Sequence, residues 1–229
     1  MVQPNNSGGL PTLPLSKRLL FSLLRTFFKL LYHQFAWTYD WVASIVSLGA
    51  WKSWVQTVLP YLTGPRILEL GFGPGHLQVK LQQLGMTVYG LDESIQMCRF
   101  AHRRLIRSAL SPRLIRANAQ SLPYAKECFH QVVMTFPAEF IFIPTAIKEI
   151  HRVLVVGGEV IILPLAWITG RKPLQRVLAW VYRFTGEAPV WDEKILKPLN
   201  NLGFEVSWEM IDLPTARLLI IHLSKSTSQ

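Results

Sequence analysis

The chain has 229 residues, enough for one domain of ordinary size with a substantial core. Half of them are apolar and only 17% are charged, which excludes a disordered polymer. The net charge of +10 directs attention to an anionic partner: nucleic acid, an anionic membrane surface or an acidic substrate. Two cysteines, Cys98 and Cys128, offer neither a C-x-x-C pair nor metal-ligand spacing. They read as thiols of a reducing compartment, hence a cytoplasmic protein without a structural metal. Eight tryptophans need a core, a substrate pocket or a membrane interface to occupy.

Residues 1–16 hold three prolines, two glycines and no charge, and are expected to be a flexible tail rather than a signal peptide. In residues 17–31 (KRLLFSLLRTFFKLL), Arg18, Ser22, Arg25 and Lys29 recur every three or four positions and share one helical face. Leucine and phenylalanine cover nearly all the rest. Three readings stay open: an interfacial helix lying among lipid headgroups, a helix docked on the domain with its cations solvated, or a helix that meets a partner protein. Arg25 and Lys29 interrupt a run already too short to cross a membrane. Residues 32–63 continue in a helical pattern rich in aromatic side chains, so 17–63 reads as an amphipathic and capping extension ahead of a domain at 64–229.

The stretch Arg66–Leu77 (RILELGFGPGHL) organises the rest of the chain. A short apolar run containing Glu69 enters a loop with glycines at 71, 73 and 75, and an amphipathic helix begins near Leu77. Glycine serves where a backbone turns sharply or approaches a ligand closely. A dinucleotide fingerprint wants a third small residue at the sixth position from the first glycine, and His76 stands there instead. Strands and helices then alternate, as a parallel sheet requires. The expected elements are a helix from Leu77 to Leu84 ended by Gly85, a strand Thr87–Leu91 ending in Asp92, and a helix Ser94–Ala109 with Met97, Phe100, Ala101, Leu105 and Ile106 inward. Arg99, Arg103, Arg104 and Arg107 make the outer side of that helix basic. Further strands are expected near Arg113–Ala117 and Gln131–Phe136, then a helix Thr145–Leu154 closed by Gly157-Gly158, and a strand Glu159–Leu165. Residues 166–190 read as a basic, tryptophan-containing insertion, followed by a helix Trp191–Leu202 and a closing hairpin, Glu205–Asp212 with Ala216–Leu223. Asp92, about 20 residues past the glycine loop, is placed to accept two ribose hydroxyls. Glu139, in the loop after the fourth strand, is either a substrate-orienting or basic carboxylate or simply a solvated one.

The acidic-x-G-x-G-x-G spacing of Glu69, Gly71, Gly73 and Gly75 resembles the first motif of class I S-adenosylmethionine-dependent methyltransferases. More specifically, the chain is similar to the ubiquinone/menaquinone-biosynthesis type. Tyr32, Ala36, Tyr39 and Asp40 match an N-terminal aromatic segment of that family. Asp92 matches its ribose-binding position. N-A-Q-S-L-P from Asn118 stands where the family has D-A-x-x-L-P, so a carbonyl acceptor remains while the charge is lost. Glu149-I-H-Arg152-V-L with Gly157-Gly158 resembles a later motif, structural in the family, with Val155-Val156 where a basic residue and proline are usual.

The resemblance implies a Rossmann-like, seven-stranded, mostly parallel sheet with helices on both faces and an antiparallel last strand. It implies S-adenosylmethionine as cofactor. Glu69, Gly71, Phe72, Gly73 and Gly75 would hold its methionine end, Asp92 the ribose, and Asn118 with Ala119 the adenine. Tyr32 and Tyr39 would close over the cofactor and line the acceptor pocket; packing aromatics is the alternative reading. No catalytic base is assigned, and His33 and His76 read as packing or capping residues. The methyl acceptor is expected to be small and hydrophobic, a quinone or lipid reached at the inner face of a membrane. The alternatives are a nucleic-acid methyltransferase, a nicotinamide-dependent oxidoreductase, and a non-catalytic S-adenosylmethionine-binding or membrane-scaffold protein.

Overall fold

The computed structural model describes residues 49–137, 143–170 and 196–226, all within the compact unit 40–229. The helix expected at 17–31, Tyr32, Tyr39, Glu139 and most of the 166–190 insertion lie outside the described residues.

In chain order the elements are α1 (Trp51–Gln56), a 3₁₀ turn (Leu59–Tyr61), β1 (Arg66–Leu70), α2 (His76–Gln83), β2 (Thr87–Asp92) and α3 (Ile95–Arg107). Then come β3 (Leu114–Arg116), β4 (Phe129–Thr135), α4 (Pro144–Val153), β5 (Leu154–Ile168), α5 (Lys197–Asn200), β6 (Phe204–Asp212) and β7 (Ala216–Lys225). The seven strands form one sheet in the order β3-β2-β1-β4-β5-β7-β6. The first five run parallel, and β7 is antiparallel to both neighbours. This is the expected Rossmann-like architecture.

Central strands of a parallel sheet are covered on both faces and therefore read as continuous apolar runs. In β1, Ile67, Leu68 and Leu70 are all fully buried. Successive side chains point to opposite faces. Ile67 joins Val88, Val133, Ile161, Trp54, Val58 and Leu81 on one side, under α1 and α2. Leu68 joins Val132, Ile150, Ile162, Leu199 and Ile221 on the other, under α4 and α5. With six residues, α1 is too short to persist in water by itself. Burial of Trp54 and Val55 holds it, at about 1.5–3 kcal/mol for each large side chain.

The long helical pattern expected over 32–63 stops at Thr57, after which Pro60 sits in the 3₁₀ turn and Leu62 is extended. Gln131 of β4 fixes the descent into β1. Its Oε1 accepts from Thr63 N and Gly64 N at 2.8 and 2.7 Å, and its Nε2 donates to Tyr61 O at 2.8 Å. Strand β4 begins two residues earlier than expected, because Phe129 pairs with Leu154. Gly157-Gly158 does not separate helix from strand. The two glycines lie inside β5, where the register jumps from Phe129↔Leu154 to Gln131↔Glu159. A Cβ on Gly158 would meet Val155 O at 2.9 Å and His130 O at 3.0 Å, so the bulge needs glycine. The buried Lys225 donates to His151 O and Leu154 O at 2.9 and 2.7 Å, satisfying carbonyls that the end of α4 leaves open. Of the expected last helix, α5 (Lys197–Asn200) is the described portion.

One inward assignment on α3 is overturned. Ala101 and Leu105 are buried, but Ile106 is 55% exposed. It lies one residue, 100° of helical turn, beyond Leu105 and so falls on the outer stripe.

Candidate functional site

Three loops meet beyond the carboxyl ends of β1, β2 and β3, the end at which open α/β sheets bind ligands. Backbone hydrogen bonds stitch them together. Gly71 N donates to Leu91 O at 2.8 Å, and Ala117 N donates to Asp92 O at 3.2 Å. Gly73 N donates to Asp92 Oδ2 at 2.9 Å. The structure thus brings Gly71, Phe72, Gly73, Asp92, Asn118 and Ala119 to one junction.

Within the glycine loop Gly73 and Gly75 have different surroundings. Gly71, Gly73 and Gly75 all have positive φ, at 70°, 54° and 81°. A Cβ on Gly73 would meet nothing within 4 Å, so the chain leaves open space beside that backbone. A Cβ on Gly75 would lie 2.7 Å from Ala101 Cβ and 3.0 Å from Ala101 Cα, which are part of α3. Gly75 therefore lets the start of α2 pack against α3. Phe72 is 3% exposed, and His76 opens α2.

The two acidic groups at the strand ends also differ. Glu69, 2% exposed, accepts from Gln78 Nε2 at 2.8 Å. Burial pushes its carboxyl up to about 8, against the pull of that hydrogen bond. At neutral pH it is mostly the uncharged acid. The Oε1 of Gln78, wholly buried beside it, has no hydrogen-bond partner. A buried carboxyl next to an orphaned amide oxygen is a poor arrangement for a stand-alone core, and a cationic donor resolves both defects. Asp92 accepts from Gly73 N and from Ser94 N, the latter at 2.8 Å to Oδ1. Burial raises its carboxyl as well, but two backbone N–H groups oppose the shift. Each of its oxygens keeps a second lone pair for hydroxyl donors. Ser94 also caps α3 by accepting from Met97 N at 3.3 Å.

In the third loop, Asn118 Oδ1 accepts from Gln120 N at 2.8 Å and Asn118 Nδ2 donates to Glu93 Oε1 at 3.3 Å. Ala119 is 9% exposed. The loop is held from behind by α4, which motif reading treats as purely structural. Arg152 makes a two-pronged pair with Glu149, Nε to Oε1 at 2.7 Å and Nη2 to Oε2 at 2.8 Å. It also donates to Tyr124 O at 2.8 Å and Leu122 O at 2.9 Å, while Glu149 Oε2 accepts from Leu122 N at 2.7 Å. The sequence signal was the E-x-x-R spacing, which puts both groups on one side of a helix. What it grips is visible only in three dimensions.

A second feature stands at the end of β4. Phe136 is in the left-handed region, with φ of 47°. Its ring stacks on Trp51 at 4.1 Å between centroids and lies 6.4 Å from Trp54. Phe136 N donates to Leu163 O at 2.6 Å. A bulky residue held at positive φ is a strained conformation that the surrounding packing has to maintain.

Residues 68–162 match the model of a methyltransferase domain. The ubiquinone/menaquinone biosynthesis C-methyltransferase of Xylella fastidiosa (strain M12) is 32% identical over 148 residues, 59% of this chain and 58% of that protein. The demethylmenaquinone methyltransferase of Thermobifida fusca is 29% identical over 147 residues, 62% of each. The chain thus spans about three fifths of the length of these relatives, 58% and 62%. A SAM-dependent methyltransferase of Methanosarcina mazei superposes with a TM-score of 0.56 at 21% identity, over 75% of this chain and 98% of that one. Over residues 68–162 the chain is therefore similar to methyltransferase domains, and its fold is the one that the SAM-dependent methyltransferase of Methanosarcina mazei has.

Proposed function

We propose that this protein transfers the methyl group of S-adenosylmethionine to a carbon of a small, apolar, quinone-like acceptor at or near a membrane surface. The observation that carries the reading is the three-loop junction, in which a buried carboxyl, an open glycine backbone and a paired aspartate meet.

When bound, the cofactor supplies a methyl group already activated on a sulfonium. The chain's own residues bind, orient and keep out water. Gly71 and Gly73 give room for the methionine end. Glu69 becomes ionised on meeting its ammonium and sulfonium charges, and Phe72 walls the loop. The free lone pairs of Asp92 take the ribose hydroxyls. Asn118 Oδ1 and the backbone of Ala119 take the adenine edge. Tyr32, Tyr39 and Glu139 belong to the acceptor side in this reading. So does the Phe136–Trp51 stack, at the end of β4, as an apolar wall for a planar ring. Transfer forms a carbon–carbon bond as the methyl–sulfur bond breaks and a thioether leaves. The acceptor carbon then loses its proton to a base that remains to be assigned.

The acceptor class is supported by the activities for which the Xylella and Thermobifida relatives are named, both quinone methyltransferases. Membrane proximity, on the cytoplasmic side, is supported by the cation-striped residues 17–31. Among the described residues no helix is long and apolar enough to cross a membrane. The test has two steps. Calorimetric titration with S-adenosylmethionine and, separately, NAD is expected to give saturable binding of the first alone. Transfer of a labelled methyl group to a reduced, prenylated quinone is then compared with transfer to RNA. Binding without transfer to any acceptor favours the non-catalytic reading, and transfer to RNA alone overturns the quinone reading.

A further inference from the structure

Between positions 94 and 126 the chain contains six arginines, one lysine and no carboxylate. The fold gathers most of this charge at one edge of the sheet. Strand β3 is the edge strand and α3 packs beside it. On α3, Ile95, Arg99, His102, Arg103, Ile106 and Arg107 are all exposed. At 100° per residue they fall within one stripe, with the isoleucines and His102 along one margin and the arginines along the other. On and before β3, Arg113, Ile115 and Arg116 are exposed as well. Among the described residues no ion pair engages Arg99, Arg103, Arg107 or Arg113.

The exposed isoleucines are the second observation. Ile95 is 39% exposed, Ile106 55% and Ile115 37%, three of the six large apolar side chains left in water among the described residues. Ile95 and Ile106 lie along the arginine stripe of α3, with no exposed aromatic among them, whereas Ile115 pairs with Leu91 and turns to the other face of the edge strand. Bare arginines suit any polyanion. Arginines interleaved with aliphatic side chains suit an anionic lipid surface, where cations meet headgroups and the aliphatic groups enter the boundary with the acyl chains. Single-stranded nucleic acid is gripped instead through stacking aromatics.

We infer that the α3–β3 edge is a docking surface for anionic phospholipid. Ile95 lies three residues past Asp92, so the stripe begins at the mouth of the three-loop junction. Docking there sets the carboxyl ends of the strands beside the bilayer, where an apolar acceptor is dissolved. This surface suffices for docking, whatever residues 17–31 do and whichever acceptor is methylated.

The test is flotation of the full chain with phosphatidylcholine vesicles, with and without about 30 mol% phosphatidylglycerol, across a salt series. Binding is expected with phosphatidylglycerol and not without it, falling as salt rises. The triple substitution Arg99→Gln, Arg103→Gln and Arg107→Gln is expected to lower partition about tenfold or more, since each basic residue near such a surface counts for about a factor of five. Ile106→Asp is expected to lower it about threefold or more. S-Adenosylmethionine binding, measured by calorimetry, should be unchanged in both, which separates a failure of docking from a failure of the cofactor reading. If the triple substitution unfolds the protein, Ile106→Asp alone decides. The inference is overturned if wild-type protein does not float, if the folded variants float like wild type, or if the arginines govern binding to single-stranded RNA and not to vesicles.

Discussion

Two carboxyl groups stand at or next to the ends of neighbouring parallel strands, and their surroundings make them different acids. Glu69 lies within the buried run of β1, next to its last residue Leu70, and meets a side-chain amide, and burial pushes its carboxyl up to about 8. Asp92 terminates β2 and meets two backbone N–H groups, which offset part of the upward shift that burial causes. Position on the sheet contributes, since Glu69 pairs with Gly90 and so lies two residues deeper than Asp92, and burial is the largest cause of both shifts. Donor supply adds to it. The chain turns the amides of Gly73 and Ser94 onto Asp92 and leaves Glu69 one primary amide whose oxygen is itself orphaned. A carboxyl supplied with two N–H donors offers fixed acceptors, whereas one with a single amide donor is poised to respond to an arriving cation.

The largest expected effect breaks the comparison at Glu69. Its folded value lies above the ordinary carboxylate range, so it contributes stability that is present at low pH and is lost as pH rises toward about 8. The loss has a slope of at most about 1.4 kcal/mol per pH unit, on the order of 3–5 kcal/mol across the window. Urea unfolding from pH 5 to 9 should show this decline in wild type and a flatter curve in Glu69→Gln. If the two curves run parallel, Glu69 is an ordinary carboxylate. The same protonation implies that S-adenosylmethionine binding at pH 7 releases a proton from wild type and none from Glu69→Gln, measurable by calorimetry in buffers of different ionisation enthalpy.

Gly75→Ala attacks the junction between the two strand ends. The new Cβ meets Ala101 at 2.7 Å with φ at 81°, and a loss of about 3 kcal/mol in unfolding free energy is expected. Adding Ala101→Gly should restore part of it, because the nearest clash goes while the backbone strain stays. Full restoration would show that strain is negligible there.

Asp92→Ala should weaken S-adenosylmethionine binding about 100-fold, the equivalent of two hydrogen bonds to a charged acceptor. Stability should fall by about 1–2 kcal/mol through the lost partners of Gly73 and Ser94. An unchanged dissociation constant would remove Asp92 from the cofactor site. The smallest expected effect lies behind the third loop. Arg152→Lys keeps the charge but cannot reach Glu149, Leu122 O and Tyr124 O together. The KM for S-adenosylmethionine should rise about fivefold with kcat nearly unchanged, as expected of a residue that positions a loop. A fall in kcat at constant KM would contradict that role.

Much of this was legible in the chain itself. The strand–glycine loop–helix at Arg66–Gln83 and the strand ending at Asp92 follow from apolar runs bounded by glycine and by a capping serine, signals that act within a few residues. The hairpin of β6 and β7 follows from two apolar runs around Leu213-Pro214-Thr215. What misled were features with two local meanings. Ile106 is apolar and helical, which suggests burial, yet the phase of α3 is set by Ala101 and Leu105 against their neighbours. Gly157-Gly158 suggests a stop, yet pairing with β4 carries the strand through as a bulge. The helical pattern was expected to run on to residue 63, yet Pro60 and the pull of Gln131 end the helix early.

By itself the sequence determined the order and kind of the elements, the parallel sheet and the cofactor-class loop, because each depends on side-chain periodicity and on backbone conformations that only certain residues adopt. Tertiary structure alone decided the rest. It separated a glycine that faces open space from one that faces Ala101. It made one of two acidic residues neutral and kept the other supplied with N–H donors. It turned an E-x-x-R helix into the grip on a loop 27 residues upstream and gathered scattered arginines and isoleucines onto one edge. Those properties depend on distances across the fold, on desolvation and on which donor reaches which acceptor, and none of these is a property of neighbours in the chain.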